Sequence, residues 1–398
     1  MRKICVYTST RAEYGLLRNL IRQIHASPEL ALQLLVSGTH LVSDQGMTIE
    51  EIIRDGFEPD KCVDIELTDD SSDGVCHSMG IAISEYGKFF AEHAPDMVVV
   101  LGDRFEAFCC AVAAQVSCIP IAHIHGGEST QGAIDEAFRH GITKMAHLHF
   151  PCCEAYRHRI IQMGEQPGHV YNVGALGVEN IRRLKFMGRE ELEGSLNFKL
   201  DKPFFLVTFH PVTLEKKGAK DQFEQLLAAL DQYPHYKLIF TGSNADTGGR
   251  GINEMQEEYK KRHPFQCLAV PSLGYLRYLS AMRLCDAVIG NSSSGILEAP
   301  ALKVPTINIG DRQKGRNRVQ SIVDCDPSKE AILAALERIN TQAFQSGLST
   351  MTLPFEKSGT AKKIKEILEK ADLKDILKKE FYDIRYKSTS NRDMQVEK

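Results

Sequence analysis

Short apolar runs, unbroken by polar residues, recur along this chain with amphipathic helical stretches between them. In the first half the runs are Ile4–Tyr7, Leu32–Val36, Met97–Leu101 and Pro120–Ile124, and the helical patterns include Tyr14–His25 and Phe105–Val116. A strand covered on both faces reads as a continuous apolar run, not an alternating one. Strand–helix–strand alternation of this kind predicts parallel βαβ units with right-handed crossovers. The rhythm breaks over 174–202, which is charged and poor in strand formers. It restarts with Phe204–Phe209, Lys237–Thr241, Cys267–Val270, Ala287–Gly290 and Thr306–Ile309. The pattern predicts two doubly wound α/β domains joined by a linker at 174–202. A length of 398 residues suits two domains of about 100–200 residues each. Helical spacing returns from Thr360 to about Lys379, and the residues after Tyr386 read as disordered.

Composition narrows the function classes. The net charge is -4, without the basic excess of a nucleic-acid binder. No apolar run reaches the roughly 18 residues that span a bilayer, and MRKICVYTST is too short and too β-like for a secretory signal. The 11 cysteines are odd in number, include the adjacent pairs Cys109-Cys110 and Cys152-Cys153, and form no CxxC motif. We therefore expect free thiols in a reducing cytoplasm, and neither membrane nor nucleic acid as partner. Neither half carries GxGxxG after its first strand, so no nicotinamide cofactor is expected. The histidines His123, His125, His140, His147 and His149 fit no standard zinc spacing, and no metal is expected.

In open parallel sheets, ligands bind beyond the carboxyl ends of the strands. Seven such ends carry polar or glycine-rich text: Ser9–Gly15, Gly102–Arg104, His123–Glu128, His210-Pro211, Gly242–Asn244, Gly290–Gly295 and Gly310–Arg312. Gly290 and Gly295 bracket Asn291, Ser292, Ser293 and Ser294 just before a helix. Glycine permits close backbone approach, and serine hydroxyls with helix N–H groups hold anions. An ordinary N-cap would need one serine. Glu298, one turn on, could accept ribose hydroxyls or merely complement the helix dipole. Arg11, Arg104 and Arg312 each follow a strand end, and the guanidinium fork suits phosphate. Asp103 is either an N-cap or a catalytic carboxylate. Asp135 and Arg139, at i and i+4, read as a salt pair, although Asp135 could also face the cleft.

TSTRAEYG (8–15), GDRFEA (102–107), HIHGGE (123–128), GAIDEAFRH (132–140), GNSSSGILEAP (290–300) and INIGDRQ (307–313) together resemble the hydrolysing UDP-N-acetylglucosamine 2-epimerases, which supply N-acetylmannosamine for sialic acid. The resemblance spans residues 1 to about 370. It implies the glycosyltransferase-B architecture, two Rossmann-like domains facing each other across a cleft. We place them at 1–175, carrying the catalytic carboxylates, and 176–365, holding UDP; 366–398 would form a helix and tail packed back on the first. It implies nucleotide and diphosphate contacts from Arg11, Arg104, His210, Asn244, Ser292, Ser293, Glu298 and Arg312, and catalytic roles for Asp103 and Asp135. Where many relatives have Glu at the HxE position, this chain has His125, and the next acid is Glu128. One acid/base is therefore open between His125 and Glu128. Relatives are dimers or tetramers, so a homo-oligomer is expected.

The chemistry implied is UDP loss before C2 deprotonation. Departure of UDP builds positive charge at C1, a carboxylate then takes the C2 proton to give 2-acetamidoglucal, and water adds with reprotonation on the opposite face. A closely similar alternative acts on UDP-2,4-diacetamido-2,4,6-trideoxyglucose, the legionaminic acid route. Non-hydrolysing epimerases carry GTRPE and EAGLR-type text instead of STRAEYG and HGGE. A glycosyltransferase would share the nucleotide site but need an acceptor groove. A UDP-sugar-binding regulator would have no use for Asp103, Asp135 and Glu128.

Overall fold

The computed structural model describes residues 1–43, 46–69, 71–130, 134–211, 218–243 and 249–384. Twelve strands among them build two sheets. The first contains β1 (Arg2–Thr8), β2 (Leu30–Ser37), β3 (Lys61–Val63), β4 (Met97–Leu101), β5 (Ile121–Ile124) and β6 (Leu148–Phe150). The second contains β7 (Phe204–Thr208), β8 (Lys237–Thr241), β9 (Cys267–Val270), β10 (Ala287–Gly290), β11 (Thr306–Ile309) and β12 (Ile322–Cys325). Their orders are β3-β2-β1-β4-β5-β6 and β12-β11-β10-β7-β8-β9, and every strand pair is parallel. Both are the doubly wound Rossmann order, in which the chain reverses direction beside the first strand. The reversals fall between β1 and β4 and between β7 and β10, so the loops after those four strands open onto a crevice. The two crevices face each other, which is the glycosyltransferase-B architecture.

Each sheet is covered on both faces. Leu17, Leu20, Ile21 and Ile24 on the helix Arg11–His25 meet Ile4, Val6, Met97 and Val99 of the first sheet, and Ala361, Ile364 and Leu368 of the helix Thr360–Lys370 join the same core. Burying one such side chain contributes about 1.5–3 kcal/mol. On the opposite face, Tyr86, Phe89 and Phe90 pack with Cys109 and Cys110. All 11 cysteines are free, and burial pushes the Cys109 thiol up to about 12.

The structure departs from the sequence expectation in four places. The helix predicted from Tyr14 starts three residues earlier, because Thr10 and Glu13 form a reciprocal capping box. The interval 174–202, expected as a linker, contains regular structure that the strand-poor text did not announce. It folds into the helices Leu176–Arg183 and Arg189–Leu196, which bury Leu176, Val178, Glu179, Ile181 and Leu192 and leave Arg182, Arg183, Glu190 and Glu191 exposed. The last helix stops at Lys370, nine residues short of the predicted end. Strands β3, β6 and β12 carried no sequence signal, being sheet edges or next to them and only three or four residues long. The tail after Tyr386 lies outside the described residues. No described helix is long and apolar enough to cross a membrane.

Candidate functional site

The first sheet's contribution centres on the turn after β5. His125 has a left-handed backbone, φ 63°, which costs a non-glycine residue on the order of 1 kcal/mol. It is held there by hydrogen bonds from its N–H to Phe150 O, 3.1 Å, and from Arg139 Nη1 to its own carbonyl, 2.9 Å. The twist brings His125 Nδ1 to 2.7 Å from Glu128 Oε1, with both side chains buried. Arg139 and Arg316 approach Glu128 Oε2 at 3.7 and 3.3 Å. Burial alone would raise the Glu128 carboxyl, but Arg316, the His125 hydrogen bond and Arg139 together drive it far below the ordinary range. An ionised carboxylate only accepts, so Nδ1 carries the proton and donates it to Glu128. His125 Nε2 is buried without a partner among the described residues.

Arg139 joins this pair to Asp103, with which it forms an ion pair. The predicted Asp135–Arg139 pair is thus not the contact Arg139 uses for its hydrogen bonds. Asp135 opens the helix Asp135–Met145, half-buried, and its charge acts on Arg139. Thr130 Oγ1 accepts from both Arg139 and Arg316, at 3.3 and 3.4 Å. The other histidines do structural work. His123 bonds Gly102 O at 2.8 Å and is pushed down to about 3 by burial. His149 bonds Glu165 at 3.0 Å, His140 bonds Glu136 at 3.1 Å, and His147 Nδ1 accepts from the N–H of Ile121. His125, Glu128 and Cys152 bring ligand atoms within 4.8 Å of one another. Two guanidiniums already neutralise that carboxylate, so a divalent cation there would meet strong repulsion.

The second sheet contributes a network of mostly neutral hydrogen bonds. Asn291, wholly buried, donates to His210 O at 2.8 Å and accepts from His210 N–H at 2.7 Å, tying the loop after β10 to that after β7. Its carbonyl accepts from Arg312 and Gln313 at 3.2 and 2.9 Å. Ser294 bonds Tyr278 OH at 2.6 Å and Ser292 Oγ at 3.0 Å. Ser293 precedes the helix Ser294–Ala301 but makes no capping bond through its side chain; the N–H of Ser294 instead donates to Ser292 Oγ at 3.4 Å, so one serine serves the helix start and Ser293 does not. Gly290 has a different reason from the expected one. Its φ is 134°, and a Cβ there would lie 2.0 Å from Thr208 O, so the neighbouring strand, not a ligand, excludes a side chain. Glu298 is pushed up to about 7 by burial within the cleft, and the charges of His125, Arg316 and Glu128 all act on it.

Arg11 lies at the mouth of β1 and makes no ion pair within 4 Å among the described residues. Burial lowers it, as does the like charge of Arg277 from the second lobe, while Glu51 offsets this. A diphosphate beside Arg11 and Arg277 would relieve the repulsion. Arg104 is braced by the buried Glu106, at 3.1 Å from both Nε and Nη2. Asn244 lies outside the described residues. Sequence reasoning missed Arg316, four residues past Arg312, and Arg277. Arg316 follows no strand end directly, so no positional signal marked it; only the fold of the segment after β11 carries it to Glu128.

Comparison with known proteins agrees with this geometry. The family model described as UDP-N-acetylglucosamine 2-epimerase matches residues 22–369. A Campylobacter jejuni protein named GDP/UDP-N,N'-diacetylbacillosamine 2-epimerase (hydrolyzing) is 41% identical over 384 residues, 96% of this chain and 99% of its own. The Escherichia coli polysialic acid biosynthesis protein P7 is 41% identical over 394 residues, 98% of this chain and 100% of its own. The crystal structure of UDP-GlcNAc 2-epimerase from Neisseria meningitidis bound to UDP-GlcNAc superposes with a TM-score of 0.78 at 17% identity, covering 92% of this chain and 99% of that one. A two-lobed sugar-nucleotide enzyme is the class that fold and site define. The chain belongs to the UDP-N-acetylglucosamine 2-epimerase family, and relatives at 41% and 34% identity are named as hydrolysing members.

Proposed function

We propose that this chain converts UDP-N-acetylglucosamine and water into N-acetylmannosamine and UDP. The observation that carries the reading is the chain of contacts Asp103–Arg139–Glu128–His125. It sets an ionised carboxylate and a histidine with an unshared Nε2 at one strand-end cluster, opposite the serine-rich turn of the other lobe.

The C2 hydrogen of the sugar is not acidic. The C1–O bond therefore breaks first, and its electron pair leaves on the UDP oxygen. Arg11, Arg104, Arg312 and the turn Ser292-Ser293 receive the developing diphosphate charge; Glu298 takes the ribose hydroxyls, and His210 and Asn244 complete the nucleotide contacts. A carboxylate, Asp103 or Asp135, takes the C2 proton as the C1–C2 double bond forms. Water then adds its oxygen to C1, and a proton returns to C2 from the opposite face. Glu128 is a poor proton carrier, since two arginines favour its ionised form. His125 is the better third acid/base, with Glu128 orienting its ring. No redox change occurs, and no step calls for a nicotinamide. We take 1–175 as the catalytic lobe, 176–365 as the UDP lobe and 366–398 as an appendage of the first, in a cytoplasmic homo-oligomer.

A second substrate, UDP-2,4-diacetamido-2,4,6-trideoxyglucose, is favoured by the names of two relatives, at 41% and 34% identity. The test is to incubate the protein with each UDP-sugar in deuterated water and follow carbon, proton and phosphorus NMR. The reading requires free UDP and a free C2-inverted sugar deuterated at C2. An intact UDP-sugar product, or UDP release without label, would defeat it. The ratio of kcat/KM for the two substrates decides between them.

A further inference from the structure

Arg316 belongs to the nucleotide lobe, yet its side chain ends in the other one. It is 6% exposed, its Nη1 lies 3.3 Å from Glu128 Oε2, and its Nη2 lies 3.4 Å from Thr130 Oγ1. The next residue makes the same crossing: Asn317 N donates to Tyr156 OH at 3.0 Å, and Asn317 Nδ2 to Cys153 Sγ at 3.3 Å. The root of the segment is fixed on the nucleotide side, where Arg312 and Gln313 hold Asn291 O, and Asn291 holds the backbone of His210. One stretch of six residues, 312–317, thus runs from the diphosphate side of the second lobe to the His125–Glu128 pair of the first. Arg316 Nε is buried without a partner among the described residues, which leaves the guanidinium one further N–H to donate within the cleft.

We propose that Arg316 is a positioning residue that holds the Glu128 carboxylate against His125, so that the acid/base pair of one lobe is assembled by the nucleotide-binding loop of the other. This deepens the epimerase reading and rests on it. Arg139 alone leaves Glu128 with a contact at 3.7 Å, long for an ion pair. The fork of Arg316 reaches Glu128 and Thr130 together, which a lysine could not do. UDP seated against Arg312 and Ser292 would steady the segment at its root and so fix Glu128 at its tip.

The test is Arg316→Gln, with Arg316→Lys and Asn317→Ala beside it. The pair faces Arg139 on the helix after its own turn, Cys152 after β6, Tyr156, Glu298 from the opposite lobe and His123 on its own strand. These stay in every variant, so any titration change belongs to the substituted residue. In Arg316→Gln, kcat should fall about 100-fold, the scale of lost general acid–base catalysis, with KM and the UDP Kd within about threefold. The titration midpoint of the pair, read by NMR of the labelled His125 ring in the free protein, should move up by roughly one pH unit, because a nearby positive charge is gone. Arg316→Lys should return the midpoint to that of the wild type and recover part of kcat. Asn317→Ala, which loosens the crossing without touching Glu128, should leave the midpoint in place. An unmoved midpoint in Arg316→Gln, a kcat within threefold of wild type, or an equal shift in Asn317→Ala would each overturn the proposal. The ring titration needs no turnover, so it stays decisive even if the wild-type protein releases no UDP, a result that would count against the epimerase reading instead.

Discussion

Around the turn after β5 of the first lobe, the cleft is lined by charged groups paired with one another; around the turn after β10 of the second, it is lined mainly by neutral groups bonded to one another. Asp103, Arg139 and Glu128 form a continuous charged chain that ends on His125 and takes Arg316 from the other lobe. Asn291, His210, Ser292, Ser294 and Tyr278 form a hydrogen-bonded mesh. The two lobes share a strand order, so topology does not explain the contrast. The work of each side does. Proton transfer needs groups held in defined charge states before substrate arrives, and paired ions supply that. Nucleotide binding needs shape and donors that can accept a passing diphosphate, and a neutral mesh supplies that without presenting it with a fixed negative charge. The second lobe's acid in this region, Glu298, is biased toward its neutral form by burial.

The comparison breaks most readily at Glu128. Glu128→Ala leaves the buried Arg316 guanidinium without its carboxylate, while Arg139 keeps Asp103, which should cost about 3–5 kcal/mol of stability and abolish turnover; denaturant unfolding and UDP release measure both. A variant as stable as wild type would mean that the charged chain is ornamental. Asp103→Asn keeps the shape but removes the negative charge. It should lower kcat by about 10²- to 10⁴-fold while UDP still binds, as calorimetry would show. Near-normal turnover would remove Asp103 from the mechanism.

Glu298 sharpens the contrast from the other side. Its folded value, about 7, lies above the 4.5 of an ordinary carboxyl, so the folded state favours the protonated form. A carboxylate accepts ribose hydroxyls better than a carboxylic acid does. UDP affinity should therefore rise as pH climbs through 7, by about tenfold between pH 6 and 8, and Glu298→Gln should flatten the part of that dependence not due to the phosphate itself. The same raised value means that the carboxyl's contribution to stability is fully present below about 4.5 and is lost as pH rises through 7. The smallest effect is expected at Ser293, whose hydroxyl caps nothing. Ser293→Ala should leave the unfolding midpoint in place and weaken UDP by about 1 kcal/mol, one neutral hydrogen bond; a stability loss without an affinity loss would return Ser293 to the helix.

Much of the site was legible because strand-end loops are short and carry their chemistry in consecutive residues. Asp103 follows β4 by two positions, and the serine turn follows β10 at once. What escaped was whatever depends on side-chain reach. Arg316 sits seven residues past β11, and nothing local separates it from Lys314 or Arg318. The choice between His125 and Glu128 was equally closed to pattern, since both stand in one turn. It took the left-handed backbone at His125 and the convergence of two guanidiniums to show which group is held ionised and which keeps a free nitrogen.

By itself, the sequence determined the two parallel sheets, since continuous apolar runs can be buried only between helices, and with them the crevices where ligands enter. The tertiary structure alone decided that residues 174–202 form two helices with an apolar side turned inward, and that an arginine of one lobe meets a carboxylate of the other. Periodicity reports the environment of a residue along its own element. Contacts between residues 128 and 316 depend on how two lobes are set against each other, and no local pattern encodes that distance.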